Sequence, residues 1–283
     1  MFQKAVRTQG KLRMTIDGPA GSGKTYTALR FAHTIAQRMG GKIAVIDTER
    51  GSASKYVGEA PDGVPWQFDT AQLVTFGPDR YTEAILAAAR AGYSVLVIDS
   101  LSHAWEGVGG ALEMKDKIAG NGNQFTAWRE VTPLHNRMID AILQAPMHII
   151  TTMRSRTEYV IETNEHGKVI GVRRVGMAPV QRPGMEYEFD IVCDMDWSHV
   201  LTVGKSRCPA VADMRVEKPG PEFIRLLMEW LNGGNPTPPK KAMTLEDLIT
   251  QYGAEAVLAA NGGNIPETPD EIARVQKLLI QSA

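Results

Sequence analysis

Apolar residues along this chain follow two different spacings. Short runs in which every position is apolar, such as Ile43-Ala-Val-Ile46 and Val95-Leu-Val-Ile98, fit strands covered on both faces. Between such runs the apolar positions return every three or four residues, the spacing of one helix face. The pattern predicts strands near 12–17, 42–47, 94–99 and 147–152, and helices near 24–39, 78–91 and 126–144. Strands alternating with helices build parallel sheets through βαβ crossovers. The expected fold is therefore α/β, a mainly parallel twisted sheet flanked by helices.

The pattern changes after residue 152. Residues 159–172 read as two strands around an Asn164–Gly167 turn, a β-hairpin excursion. Further strands are expected near 187–194 and 199–204, then an amphipathic helix over Glu222–Leu231. The stretch Asn232-Gly-Gly-Asn-Pro-Thr-Pro-Pro-Lys-Lys241 has the composition of a linker. Thr244-Leu-Glu-Asp247 and Thr268-Pro-Asp-Glu271 read as helix starts of the capping-box type. The expected layout is a core over 1–231, a linker over 232–242 and a small helical C-terminal appendage over 243–283.

Composition narrows the class only slightly. With 43% hydrophobic and 22% charged residues the 283-residue chain is an ordinary globular protein, large enough for one α/β domain and an appendage. The net charge of −1 carries no global signal for nucleic acid, so any such contact must be local. Residues 242–283 hold two basic and six acidic residues, so the acid is concentrated in the tail. Two cysteines, Cys193 and Cys208, are too few for a disulfide framework or a zinc site. No apolar leader or membrane-length run is found, and the expected location is cytoplasmic, with no membrane partner. His103, His135 and His148 lack metal-ligand spacing and read as structural.

The chemistry is concentrated in Gly18-Pro19-Ala20-Gly21-Ser22-Gly23-Lys24-Thr25, which matches G-x-x-x-x-G-K-[ST] at every required position. It lies between a predicted strand and a predicted helix. Glycines allow the backbone to curl into a cradle of N–H groups, and the helix N-terminus favours negative charge. Lys24 is expected to reach the β- and γ-phosphates of ATP and Thr25 to hold Mg²⁺, with Tyr26 beside them. Val95-Leu-Val-Ile-Asp99-Ser100 has the form of a strand that delivers one carboxylate, Asp99, to the Mg²⁺ shell. Glu49 follows the next predicted strand and is placed to polarise the attacking water. Lys205 and Arg207, one residue apart on a late strand, suit either a finger for a neighbour's γ-phosphate or a solvated basic edge.

Taken together, these motifs resemble the RecA-like recombinase core. More narrowly, the chain resembles phage-encoded RecA-like ATPases of the Sak recombinase and single-strand-annealing group. Further support comes from Asp47-Thr-Glu-Arg-Gly-Ser-Ala-Ser-Lys-Tyr56, Trp128-Arg-Glu-Val-Thr-Pro-Leu-His135, Ile150-Thr-Thr-Met-Arg154 and Tyr187-Glu-Phe-Asp190. The resemblance spans about residues 10–230. It implies a P-loop ATPase in which Lys24 and Thr25 bind phosphate and Mg²⁺, Glu49 activates water and Tyr56 stacks on adenine. It also implies that Lys205 and Arg207 act across a subunit interface of a ring or filament. RecA proteins carry a γ-phosphate-sensing glutamine before the second DNA loop. Here that place reads Thr151-Thr-Met-Arg154, with no glutamine, and the coupling residue stays open, with Thr152 and Arg154 as the candidates to substitute.

The resemblance makes single-stranded DNA the expected partner. Residues 154–182 hold Arg154, Arg156, Lys168, Arg173, Arg174 and Arg182 against three glutamates, a local excess of positive charge. A second candidate is the loop Asp116–Gln124, with few cations. The acidic tail could dock on a single-strand-binding protein. The function expected is ATP hydrolysis stimulated by single-stranded DNA, driving annealing or strand exchange. The alternatives are a ring helicase or loader of the same core, and an ATP-gated scaffold with little turnover.

Overall fold

The computed structural model describes residues 3, 4, 6, 9–120, 122–163, 169–233, 245–266, 268, 271, 272, 274, 275, 278 and 279. The chain divides into two compact units, residues 1–234 and 235–283.

The first unit opens with β1 (Arg13–Gly18), α1 (Lys24–Met39) and β2 (Ile43–Asp47). Next come β3 (Asp69–Gln72), α2 (Pro78–Arg90), β4 (Val95–Asp99), α3 (His103–Glu106), α4 (Ala111–Ala119) and α5 (Gln124–Gln144). The remainder is β5 (His148–Thr163), β6 (Val169–Pro179), β7 (Ile191–Met195), β8 (Val200–Ser206), β9 (Arg215–Glu217) and α6 (Pro221–Asn232). The sheet order is β3-β2-β4-β5-β1-β7-β8-β9, parallel from β3 through β7 and antiparallel at β8 and β9. The expected architecture, a mainly parallel sheet between helices, is found.

The wholly apolar strands divide their side chains between two cores. Ile43, Val45, Val95 and Val97 face a core built with α1 and α6, where Phe31, Ile35, Phe223 and Leu227 are buried. Ala44, Ile46, Leu96 and Ile98 face the other, with Tyr81 and Ile85 of α2 and Met138 and Ile142 of α5. This is the period of two that a strand imposes, with both faces covered. Sequence punctuation sets the helix ends. Gly40 takes the left-handed conformation after α1, Pro78 and Pro221 open α2 and α6, and the Asn123 side chain accepts the Phe125 N–H at 2.8 Å to cap α5.

Several expectations need correction. The strand expected at 147–152 does not stop there. β5 runs unbroken for 16 residues, from the parallel sheet into an antiparallel pairing with β6 that begins at Ser155 and Pro179. Its tip, including the expected Asn164–Gly167 turn and Lys168, lies outside the described residues. Residues 185–188 form a 3₁₀ turn, and the strand predicted at 187–194 is Ile191–Met195. The loop expected at 116–124 is shortened from both ends, because α4 extends to Ala119 and α5 begins at Gln124.

In the second unit, α7 (Leu245–Tyr252) and α8 (Ala254–Ala260) bury Leu248 and Val257 in a small core with Val275 and Leu279. Thr268 and Glu271 exchange N–H bonds at 3.3 Å each, the reciprocal pattern of a capping box. The linker expected at 232–242 lies almost wholly outside the described residues. Among the described residues, no helix is long and apolar enough to cross a membrane.

Candidate nucleotide site

β1 ends in the glycine loop, and α1 begins at Lys24 where the loop closes. Gly18 has φ 153°, and a Cβ there would come within 2.3 Å of the Met195 carbonyl oxygen, so only glycine fits. Gly21 and Gly23 also have positive φ, 81° and 93°. Ser22 Oγ is buried with no hydrogen-bond partner, and Lys24 Nζ donates to Pro19 O at 2.8 Å. An unpaired hydroxyl in the cradle, and a cation folded back on its rim, fit a loop built to receive phosphate oxygens. Burial lowers the Lys24 pKa, opposed by the negative charges of Asp99, Asp17 and Glu49 and reinforced by Arg154. The loop is braced from β7–β8: Trp197 Nε1–H donates to Ala20 O at 3.2 Å and His199 Nδ1–H to Ser22 O at 3.0 Å.

Across the cleft the carboxylates have separate tasks. Asp99 Oδ2 accepts from Thr25 Oγ1 at 2.9 Å and Oδ1 from Thr152 Oγ1 at 2.5 Å. Burial raises the Asp99 pKa, while these two hydroxyls work to lower it. Thr25 and Asp99 therefore present a hydroxyl and a carboxylate to one point, a donor set that suits Mg²⁺. Asp47 is structural. Its carboxylate accepts the N–H of Glu49 at 2.7 Å and that of Ala53 at 3.3 Å, which fixes the turn that carries Glu49. Glu49 itself faces Arg154, which donates three hydrogen bonds to its two oxygens at 3.0, 2.7 and 2.8 Å.

A cavity of about 620 Å³ adjoins the loop, lined by Thr25, Tyr26, Arg30, Tyr56, His199 and Pro219 among others. Tyr56 meets Tyr26 edge-on, ring centroids 5.6 Å apart, and Tyr26 contacts Trp66 at 5.0 Å. Arg30 is held on Asp62 by bonds of 2.8 and 2.5 Å. Tyr56 thus lies on the wall of a space next to the phosphate loop, the position its expected role requires.

The other predicted residues divide. Arg154 was expected to contact nucleic acid, but its guanidinium is in the nucleotide cleft, because Arg154 pairs in register with Gly18 across β5 and β1. Arg156 is exposed at the base of the hairpin, and Arg173 and Arg174 are on β6. Lys205 was expected to reach a neighbouring subunit. Instead its Nζ donates to the carbonyls of Glu186, Tyr187 and Phe189 at 2.9, 2.9 and 2.8 Å, so all three protons are engaged within the chain. Arg207 bonds Asp190 at 2.9 Å with its side chain 58% exposed. Cys193 and Cys208 are buried free thiols. No group of three His, Cys, Asp or Glu that could hold a metal occurs among the described residues. Sequence reasoning missed the Arg154–Glu49 pair and the bracing by Trp197 and His199. The tripeptide Trp197-Ser-His199 between two strands was the only available signal.

A phosphate loop, a Thr–Asp pair for Mg²⁺ and a carboxylate across the cleft define a P-loop ATPase. A family model described as AAA domain (AAA_24) matches residues 10–213, and the chain belongs to that family. Among solved structures it is similar to a KaiC-like protein from the hyperthermophilic archaeon Pyrococcus horikoshii. The two share 17% identity over 75% of this chain and 94% of the other, with a TM-score of 0.44. None of the curated proteins matches it.

Proposed function

We propose that this ATPase acts on single-stranded DNA, in the manner of the phage Sak group, and couples hydrolysis to annealing or strand exchange. One observation supports the reading above the rest. β5 is a single strand whose first half borders the phosphate-loop strand and whose second half forms the hairpin that carries Arg156, Arg173 and Arg174. A ligand held along the hairpin would pull on the strand that places Arg154 against Glu49.

In this mechanism the loop N–H groups and Lys24 hold the phosphates, and Thr25 and Asp99 hold Mg²⁺. Bound there, Mg²⁺ would supply positive charge against the phosphates. Glu49 takes the proton of the attacking water, and Tyr56 covers the adenine face. Arg207, exposed just after β8, is offered to the γ-phosphate site of a second copy in a ring or filament.

The test replaces Arg173 and Arg174 together with alanine. Each lost phosphate contact should lower the slope of log affinity against log salt for single-stranded DNA by about 0.7. ATP hydrolysis without DNA should be unchanged while its stimulation falls. A salt slope equal to that of the unaltered protein would remove the hairpin from the DNA site.

A further inference from the structure

Glu49 has a second neighbour that the mechanism above leaves unused. Held by three bonds from Arg154, its carboxylate has both oxygens engaged, and neither is free to face a water. On another side stands His103, with Nε2 4.0 Å from Glu49 Oε1, beyond hydrogen-bond range. His103 is rigidly held. Its ring stacks on Phe76 at 4.8 Å between centroids, and its Nδ1 lies 2.7 Å from Thr48 Oγ1.

The hydrogen bonds of Thr48 bear on which ring nitrogen carries the proton. Thr48 Oγ1 accepts from Ser100 N at 2.8 Å, so its own proton goes to one further acceptor. Two are within reach, His103 Nδ1 at 2.7 Å and Ser100 O at 3.2 Å. Ser100 O already accepts from Tyr81 Oη at 2.9 Å. With the hydroxyl proton on the shorter contact, Nδ1 accepts and the ring hydrogen is on Nε2, on the Glu49 side, and this is the tautomer assumed below. Burial and the nearby Arg154 charge lower the His103 pKa, in keeping with a neutral ring.

We propose that Glu49 has two seats, a resting one on Arg154 and a working one on His103 Nε2–H, and that His103 is the positioning residue for water activation. This rests on the reading of Glu49 as the acid that activates water. A shift of about 1 Å brings Oε1 into hydrogen-bond range of Nε2. In the working seat one donor on Oε1 replaces the three bonds from Arg154, so the second oxygen is free to face water. An anionic phosphate entering beside Lys24 competes for Arg154, since Lys24, Glu49 and Arg154 already interact electrostatically.

The experiment measures steady-state ATP hydrolysis by the full chain with Mg²⁺. His103→Phe keeps a ring against Phe76 and removes the donor. His103→Gln returns an N–H near the Nε2 position. The expected result is a fall in kcat for His103→Phe of roughly ten- to hundredfold, the worth of one hydrogen bond to a charged group, with KM and Tm unchanged. His103→Gln should recover most of that loss. In a Glu49→Gln background His103→Phe should cost nothing more, because no carboxylate remains to be placed. Unchanged kcat in His103→Phe, or an equal loss with and without Glu49, would overturn the proposal. Normal turnover in Glu49→Gln alone would instead remove the assignment of Glu49 on which it rests. If His103→Phe does not fold, His103→Gln is compared with the shorter His103→Asn. Equal kcat for those two overturns it, and a faster Gln variant supports it.

Discussion

Glu49 and Lys205 look alike in the sequence, each a single charge at or near the end of a strand, yet the fold uses them in opposite ways. Glu49 meets another side chain, Arg154, in an open cleft where both groups stay partly in water, 29% and 45% exposed. A pair of that kind is held weakly enough to exchange partners. Lys205 meets three carbonyls of its own backbone around the 3₁₀ turn Met185–Glu188. It closes that turn, and its three protons go to backbone carbonyls rather than to an exchangeable side chain. Exchangeable pairing marks the reactive half of the molecule, and backbone pairing marks the half that holds shape.

The strongest test of this contrast is Glu49→Gln. The amide cannot accept the proton of water, so turnover should fall by up to about ten-thousandfold while ATP binding persists. Stopped hydrolysis with retained nucleotide binding, followed by equilibrium titration, is the outcome expected. Turnover near that of the unaltered protein would place the base elsewhere and end the contrast.

Arg207 tests the boundary between the two halves. It directly follows β8, which holds Lys205, but keeps an exposed guanidinium, so on the proposed reading Arg207→Ala loses about a thousandfold in turnover and keeps ATP binding. Mixing it with Glu49→Gln should restore part of the activity, because some interfaces then pair an intact Glu49 with an intact Arg207. A mixture as inactive as its components would assign Arg207 to its own chain, alongside Lys205.

Lys205→Met should behave in the reverse sense. Three carbonyls lose their donor, but water reaches the site, so the cost is about 1 kcal/mol of stability, or a drop of about 2–4 °C in Tm. Turnover per folded molecule should not change. Loss of activity without loss of Tm would return Lys205 to the catalytic group.

How much of this was legible in the sequence depended on distance along the chain. The phosphate loop, Thr25 and Asp99 were legible because a short motif between a strand and a helix carries its own geometry. The buried strands and long helices were legible from their spacing. The pairing of Arg154 with Glu49 was not legible because the two lie 105 residues apart and only the register of β5 on β1 brings them together. The unbroken course of β5 was missed because its apolar run gives way to Arg154-Ser-Arg156, which reads as an exit from the core. β3 was missed because Asp69-Thr-Ala-Gln72 is exposed throughout and has no apolar alternation. Lys205 could not be read at all, since backbone acceptors leave no mark on composition.

Asp17, the residue before the loop glycine, adds a third fate, a charge set against one of its own sign. It is buried, accepts from Ser155 Oγ at 3.0 Å, and pairs in register with Asp194 on β7. Burial first, and the Asp194 carboxylate second, push its pKa up to about 8. An ordinary carboxyl in the unfolded chain titrates near 4. Between those values the folded protein holds a proton that the unfolded chain has released, so stability falls as pH rises across the interval and levels off above it. Asp17→Asn keeps the oxygen that accepts from Ser155 and removes the titration. Its Tm should exceed that of the unaltered protein by an amount that grows from about pH 5 to about pH 8. Thermal melts at both ends of that range check the sign. Parallel curves for the two proteins would mean that Asp17 titrates alike in the folded and the unfolded chain, and that burial and Asp194 do not hold a proton on it.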